Sequence, residues 1–142
     1  MDEKVKAIII DKVNNFLTEM HEWELFCIKN DTEKELTFDE KNIKQKEILI
    51  KIFEKYCTKK DRKNGKPNVI SYGSYGGYVE NWSEKIIEII QDKESQISIY
   101  TQGPMDGIDK YVYIIVKYKG EWLIDSKKRY SRLKQKWVIE NL

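Results

Sequence analysis

The first third of the chain alternates apolar and polar positions with the period of an α-helix. Apolar side chains recur at steps of three and four residues, which places them on one stripe of a long amphipathic helix: Val5, Ile9, Val13, Phe16, Met20, Trp23 and Cys27. A second helix is predicted after Thr37, because residues 37–40 (Thr-Phe-Asp-Glu) form a capping-box pattern. Its apolar face is predicted to use Ile48 or Leu49, with Ile52, Phe53 and Tyr56, and to end near Cys57.

The second half of the chain changes to a β pattern. Strands are predicted over residues 85–91, 96–102, 110–119 and 121–127. Apolar residues in the third strand occupy both alternating sets of positions, which predicts burial on both faces: Tyr111, Tyr113 and Ile115 on one face, and Val112, Ile114 and Val116 on the other. Lys119-Gly120 is a short hairpin signal between two of these strands.

The order of these elements predicts the fold class. Two helices followed by a meander of long strands indicate an α+β domain with the helices on one face of an antiparallel sheet. Leu133 and Trp137 are four residues apart, which predicts a short helix at the C-terminus. No repeat, low-complexity segment or linker interrupts the pattern, so a single domain over residues 1–142 is expected.

Composition indicates a globular chain with a well-solvated surface. Hydrophobic residues make up 40% and charged residues 35% of the 142. The longest apolar runs are far too short to cross a bilayer, and the start Met1-Asp2-Glu3-Lys4 lacks a secretory signal, so we expect a cytoplasmic protein. In a reducing compartment, Cys27 and Cys57 are expected to be buried thiols rather than a disulfide.

Charge is nearly balanced overall but uneven along the chain. A net charge of +2 gives no basic field that calls for nucleic acid or an anionic membrane. An acidic stretch and a basic stretch are nevertheless present: Asp31, Glu33, Glu35, Asp39 and Glu40, and Lys127, Lys128, Arg129, Arg132, Lys134 and Lys136. Each is either a solvated face or a patch that meets a partner. The basic run at residues 59–63 is interpreted as a solvated loop rather than a nucleic-acid contact.

Few residues are available for catalysis. His21 is the one histidine and lies at the margin of the first predicted helix, and no metal-ligand spacing accompanies either cysteine, so no cofactor or metal is expected. Asp106, Asp109 and Asp125 flank strand ends, where one of them is a candidate general base inside a cupped sheet. Acidic residues at strand ends are also common in turns.

Several segments together resemble one protein family. Residues 54–62 (Glu-Lys-Tyr-Cys-Thr-Lys-Lys-Asp-Arg) lead to Ser71-Tyr72-Gly73, and residues 120–127 (Gly-Glu-Trp-Leu-Ile-Asp-Ser-Lys) precede a terminal Lys136-Trp137. This combination resembles the immunity proteins with a nuclear-transport-factor-2-like fold from bacterial polymorphic toxin systems. The resemblance runs from the first helix to the C-terminus. Many members follow Ser-Tyr-Gly with prolines, whereas this chain has Ser74-Tyr75-Gly76-Gly77.

The resemblance implies both a shape and a role. The shape is a cone-like, cystatin-like domain with helices packed on a strongly curved antiparallel sheet. The role is a non-enzymatic inhibitor that binds and silences a cognate toxin; the family has no catalytic residues to carry over. Apart from the resemblance, we expect a monomer or weak homodimer. Aromatic side chains beside glycines are favoured at binding surfaces. The candidate toxin-binding residues are therefore Tyr72, Tyr75, Tyr78 and Trp82, with Arg129 and Arg132 as charge partners. The same aromatic segment is alternatively a lid that packs over the open end of the sheet.

A different class of function remains open at this point. The pocket of a curved sheet suits a small-molecule binder or an isomerase- or dehydratase-like enzyme, although this is fold-level analogy. Such a protein would direct a carboxylate or His21 into a closed apolar cavity, whereas a pocket filled by isoleucine and tyrosine side chains would argue against it. A nucleic-acid-binding module would show affinity that falls steeply with salt.

Overall fold

Two helices precede five strands in the computed structural model. It describes residues 1–63, 65–72, 77–78, 83–104 and 110–142. The elements are α1 (Glu3–Asp31), α2 (Phe38–Tyr56), β1 (Lys85–Lys93), β2 (Gln96–Gln102), β3 (Lys110–Tyr118), β4 (Glu121–Ser131) and β5 (Lys136–Glu140). The strands form one antiparallel sheet in the order β1-β2-β3-β4-β5. The predicted α+β class, with helices packed on an antiparallel sheet, is confirmed.

Both helices bury the faces that their sequences predict. Six of the seven stripe residues of α1 lie in the core, and Val5 packs against it. α2 buries Leu49, with Ile48 half-buried beside it. The capping box is present: the amide of Glu40 donates to the Thr37 hydroxyl at 3.2 Å, and the amide of Thr37 donates to the Glu40 carboxylate at 3.4 Å. The amphipathic period and the cap therefore suffice to place these helices.

A polar clamp joins the end of α2 to β4. The amide of Thr58 donates to the carbonyl oxygen of Ile124 at 2.9 Å, and the Thr58 hydroxyl donates to Asp125 Oδ1 at 2.9 Å. Lys60 Nζ donates to Asp125 Oδ2 at 3.0 Å, and the Arg62 guanidinium donates to the carbonyl oxygens of Thr58 and Asp125. We call Thr58, Lys60, Arg62 and Asp125 the Asp125 clamp. Lys60 and Arg62, two cations of the run at residues 59–63, thus hold the end of α2 against β4 and do not lie free in a solvated loop.

The first four strands are present, with longer ends for β1 and β4 than predicted. The turn at Lys119 and Gly120 has positive φ at both residues, 51° and 80°, as a two-residue hairpin turn requires. On β3, Tyr111, Tyr113 and Ile115 are fully buried. On the opposite face Val112 is buried, whereas Ile114 and Val116 are half-buried. Burial of both faces of β3 is thus only partly correct.

The predicted C-terminal helix is wrong. Residues 136–140 form β5, which pairs with β4 so that Trp137 lies opposite Tyr130. Trp137, Val138 and Ile139 favour a strand, because aromatic and β-branched side chains pack well on a pleated surface. The turn at residues 132–135, which ends at Gln135 with φ 52°, reverses the chain so that β5 pairs with the extended end of β4.

The core lies between the helices and one face of the sheet. Phe16 of α1 packs edge-to-face on Phe53 of α2 with ring centres 6.0 Å apart, and the inner residues of β2 and β3 belong to the same cluster. Cys27 and Cys57 are buried free thiols, as expected. In the part of the chain that the structure describes, neither helix is long and apolar enough to span a membrane.

Candidate functional site

A lysine lies at the centre of the inner face of the sheet. Lys127 on β4 is opposite Tyr113 on β3 and is only 4% exposed. Its Nζ lies 4.2 Å from the ring centre of Tyr111, 4.9 Å from that of Tyr78 and 5.2 Å from that of Tyr113. We call these four residues the Lys127 cage. In it, ring faces attract an ammonium that has little contact with water.

Burial dominates the electrostatics of the cage. It lowers the pKa of Lys127, although the charges of Glu84, Glu140 and Glu24 act in the opposite direction. Burial also raises the pKa of Tyr78 and Tyr113 well above 10, and the Tyr113 hydroxyl donates to Glu84 at 2.8 Å. The phenols therefore stay protonated at neutral pH. Packed side chains occupy the centre of the inner face among the described residues.

Tyr78, a predicted toxin contact, is a core residue. It is 7% exposed, and its ring packs edge-to-face on Phe16 with centres 6.0 Å apart. Its amide donates to the buried carboxylate of Glu24 at 2.9 Å. Its carbonyl oxygen lies 3.1 Å from Nδ1 of His21, and a proton on Nδ1 makes this a hydrogen bond. These contacts tie Tyr78 to α1. Residues 73–76 and 79–82, which the lid interpretation also includes, lie outside the described residues.

The other predicted contacts lie in two places. Tyr72 is half-buried beside the end of α1, where its ring packs on Trp23 at 5.9 Å and its hydroxyl bonds the carboxylate of Asp31. Arg129 donates to Glu140 at 3.0 Å, and Arg132 is exposed in the turn that follows β4. Tyr75 and Trp82 lie outside the described residues. The binding role of these residues stays a prediction.

The carboxylates proposed as general bases do not form a described catalytic group. Burial acts to raise the pKa of Asp125, but hydrogen bonds from Lys60 and Thr58 and the nearby charges of Lys60 and Arg62 outweigh it and lower that pKa. A general base works best with a pKa near the working pH, so Asp125 is positioned for structure. Asp106 and Asp109 lie outside the described residues. Within the described ranges, no three histidine, cysteine, aspartate or glutamate side chains are grouped to hold a metal ion.

An aromatic cluster on the outer face of the sheet was missed by sequence reasoning. The ring of Trp137 lies 5.6 Å from that of Tyr100 and 5.4 Å from that of Tyr130, centre to centre. Nearby, Leu133 in the turn that follows β4 is 94% exposed, and Ile139 on β5 is 87% exposed. The alternation of Trp137 with Ile139 was the signal available in the sequence, but the four-residue spacing from Leu133 was interpreted as helical.

Comparisons with known proteins agree with this fold. The family model of the NTF2 fold immunity proteins matches residues 8–141. The immunity protein RhsIA of Dickeya dadantii (strain 3937) is 30% identical over 130 residues, which is 92% of this chain and 93% of that protein. No solved structure matches the chain. Because the family model covers nearly the whole chain, from α1 to the end of β5, this protein belongs to the NTF2 fold immunity protein family.

Proposed function

We propose that this immunity protein neutralises its toxin by binding it directly in a stoichiometric complex, without catalysing a reaction itself. The observation that carries the proposal is the family match over residues 8–141. It is supported by a relative of similar length that is named an immunity protein. The complex forms in the cytoplasm of the producing cell, where the protein is a monomer or weak homodimer that needs neither nucleic acid nor membrane.

The Lys127 cage supports inhibition by an outer surface rather than by an inner pocket. In a small-molecule binder of this shape, the inner face of the sheet would hold the ligand. Here three tyrosine rings surround the Nζ of the buried Lys127 at its centre. A partner as large as a toxin would therefore contact exposed side chains, and the interface would bury about 1,200–2,000 Å² in total.

One observation favours the enzymatic alternative. An amine whose pKa is lowered by burial, as at Lys127, is also a feature of catalytic lysines. An isomerase- or dehydratase-like reaction would then require the Lys127 amine itself. Lys127→Met tests this, because it retains the aliphatic packing and removes the amine.

The first experiment is a co-expression rescue. The gene immediately upstream is induced in a naive host with and without this protein, and its product is then used in a pull-down. We expect growth arrest that wild-type protein and Lys127→Met both relieve, together with a one-to-one complex. A toxin that kills regardless of this protein would contradict the proposed function, and a rescue lost only in folded Lys127→Met would favour the enzyme.

The predicted aromatic contacts are tested in the same assay. Tyr72, Tyr75 and Trp82 are replaced by alanine together, with Tyr118→Ala as the control because Tyr118 is an exposed aromatic residue at the end of β3. If these residues anchor the toxin, the triple variant weakens the complex and the control does not. An unchanged complex would remove this surface from the proposal.

A further inference from the structure

The turn between β4 and β5 presents an apolar side chain among cations. Leu133 is 94% exposed at the turn, although leucine is usually buried. Arg132, Lys134 and Lys136 flank it in sequence, and all three are exposed. We call Arg132, Leu133, Lys134, Lys136 and Trp137 the hairpin surface.

The hairpin surface continues into the aromatic cluster on the outer face of the sheet. Trp137 contacts Tyr130 on the neighbouring strand and also Tyr100 on β2, two strands beyond β4. Val112, paired in register with Tyr100, is 4% exposed although it points away from the helices, so the outer face is packed at this position. Rings that are already held in place lose little rotamer freedom when a partner covers them. The surface is thus suited to binding before any partner arrives.

The positive charge around the hairpin surface indicates which kind of partner it binds. Lys128, on the outer face next to Ile139, adds a fourth exposed cation to the three at the turn, while Glu140, the carboxylate of β5, is paired with Arg129. The protein as a whole carries only +2, so this concentration of one sign is local. A second copy of the chain docked through this same surface would bring like charges together, which disfavours symmetric self-association. Nucleic acid would satisfy the cations, but it would cover Leu133 and Ile139 only by unstacking bases, which costs free energy.

We propose that the hairpin surface docks an acidic-rimmed apolar patch on the cognate toxin, with Leu133 and Trp137 as apolar anchors and Arg132 and Lys134 as charge partners. This inference rests on the proposed function. It deepens that function by assigning the toxin interface to the β4–β5 hairpin and the outer aromatic cluster.

The test measures binding to the purified toxin identified by the rescue experiment. Leu133→Ala and the double variant Arg132→Glu/Lys134→Glu are each expected to raise Kd about tenfold or more, as removal of an interface anchor does. The charge variant should lower the association rate and weaken its dependence on salt. Neither change removes a buried group, so both variants should retain the wild-type circular dichroism spectrum and thermal midpoint.

Matched controls separate the hairpin from the rest of the surface. Tyr118→Ala removes an exposed apolar side chain at the β3–β4 hairpin, at the other end of β4. Lys4→Glu/Lys6→Glu makes the same charge change on exposed positions of α1. Both controls should bind the toxin within about twofold of wild type, since surface positions away from an interface contribute little.

Each other outcome overturns the inference. If wild type rescues and binds but the hairpin variants do so equally well, the hairpin assignment fails while the proposed function stands. If wild type neither rescues nor binds, the proposed function itself fails. If ultracentrifugation shows that the wild-type protein is a dimer and that Leu133→Ala is a monomer, a second copy of the chain occupies the hairpin surface. If a labelled random DNA duplex binds in a way that depends on Arg132 and Lys134, and toxin binding is unaffected by these residues, nucleic acid occupies the hairpin surface.

Discussion

The Nζ of Lys127 lies 4.2 Å from the ring centre of Tyr111, which places an ammonium group inside the fold. A desolvated cation–π contact contributes about 2 kcal/mol, whereas the desolvation of an ion costs several kcal/mol. Burial lowers the pKa of Lys127 despite three carboxylates that act to raise it, so the desolvation cost is the larger effect. The positive charge therefore costs folding free energy, while the lysine stem fills space among the rings.

The first prediction separates the stem from the charge. Lys127→Met retains a long side chain and removes the desolvation cost of the charge, so it should unfold at the same or a higher urea concentration than wild type at pH 7. Lys127→Ala leaves a cavity and should lower the free energy of unfolding by about 2 kcal/mol.

The pH dependence of the same pair of proteins gives a second readout. The folded pKa of Lys127 lies below the unfolded value of about 10.4, so between the two the unfolded state binds more protons and stability rises with pH. Wild type should therefore gain stability relative to Lys127→Met as pH rises through that window. A relative loss over the same window would show that the charge stabilises the fold.

The second prediction concerns the Asp125 clamp. Asp125→Asn removes the charge that pairs with Lys60, and it should lower the free energy of unfolding by about 1 kcal/mol at pH 7, since the pair is partly exposed. Because the folded pKa of Asp125 is lowered, its stabilisation is present above the unfolded pKa of about 3.9 and is lost as pH falls through the folded pKa.

Chemical denaturation at pH 7 and at acid pH measures this effect. Asp11→Asn, at an exposed position of α1, is the matched control and should unfold like wild type at both values. A gap between wild type and Asp125→Asn that persists unchanged at the lowest pH would show that the charge of Asp125 is not the source of the clamp's stability.

The third prediction is that both thiols are unreactive in the folded protein. Burial is the main cause that raises the pKa of Cys27 and of Cys57 to about 12; the charges of Asp31 and Glu24 add to it at Cys27, and that of Arg62 opposes it at Cys57. The thiolate is the reactive form, so native protein at pH 8 should react very slowly with a disulfide reagent. In the unfolded protein, both thiols of each chain should react with the reagent at once. Rapid labelling of a native thiol would contradict the burial of that residue.

The helices were predictable because each follows one period over many residues, with one face on the core. The burial of Lys127 was not, because it depends on a bulge. Ile115 pairs with Ile124 and Ile114 pairs with Ser126, so Asp125 is an extra residue in β4. The bulge shifts the alternation by one position and turns Lys127 inward, although the sequence groups it with the solvated cations that follow. β5 was missed for a different reason: the spacing of Leu133 and Trp137 matches a helix, although Trp137 and Ile139 alternate as in a strand and pair with the extended end of β4.

The fourth prediction tests how the segment at Tyr78 is held on α1. Glu24 is 1% exposed, and its carboxylate accepts the Tyr78 amide at 2.9 Å. Glu24→Gln keeps an accepting oxygen, whereas Glu24→Leu leaves a buried amide without this partner, which costs about 1–3 kcal/mol. Glu24→Leu should therefore unfold at a lower urea concentration than Glu24→Gln.

Hydrogen exchange locates that loss, and toxin binding shows whether it matters for function. The Tyr78 amide should exchange faster in Glu24→Leu than in Glu24→Gln, because its hydrogen bond to α1 is gone. Tyr75 and Trp82 are near Tyr78 in sequence, so if they contact the toxin, Glu24→Leu should also weaken the complex more than Asp125→Asn, which disturbs only the clamp at the end of α2. Equal toxin affinity in Glu24→Leu and Asp125→Asn, with the Tyr78 amide exposed only in the former, would place the toxin contacts away from this segment and leave the β4–β5 hairpin as the surface to test.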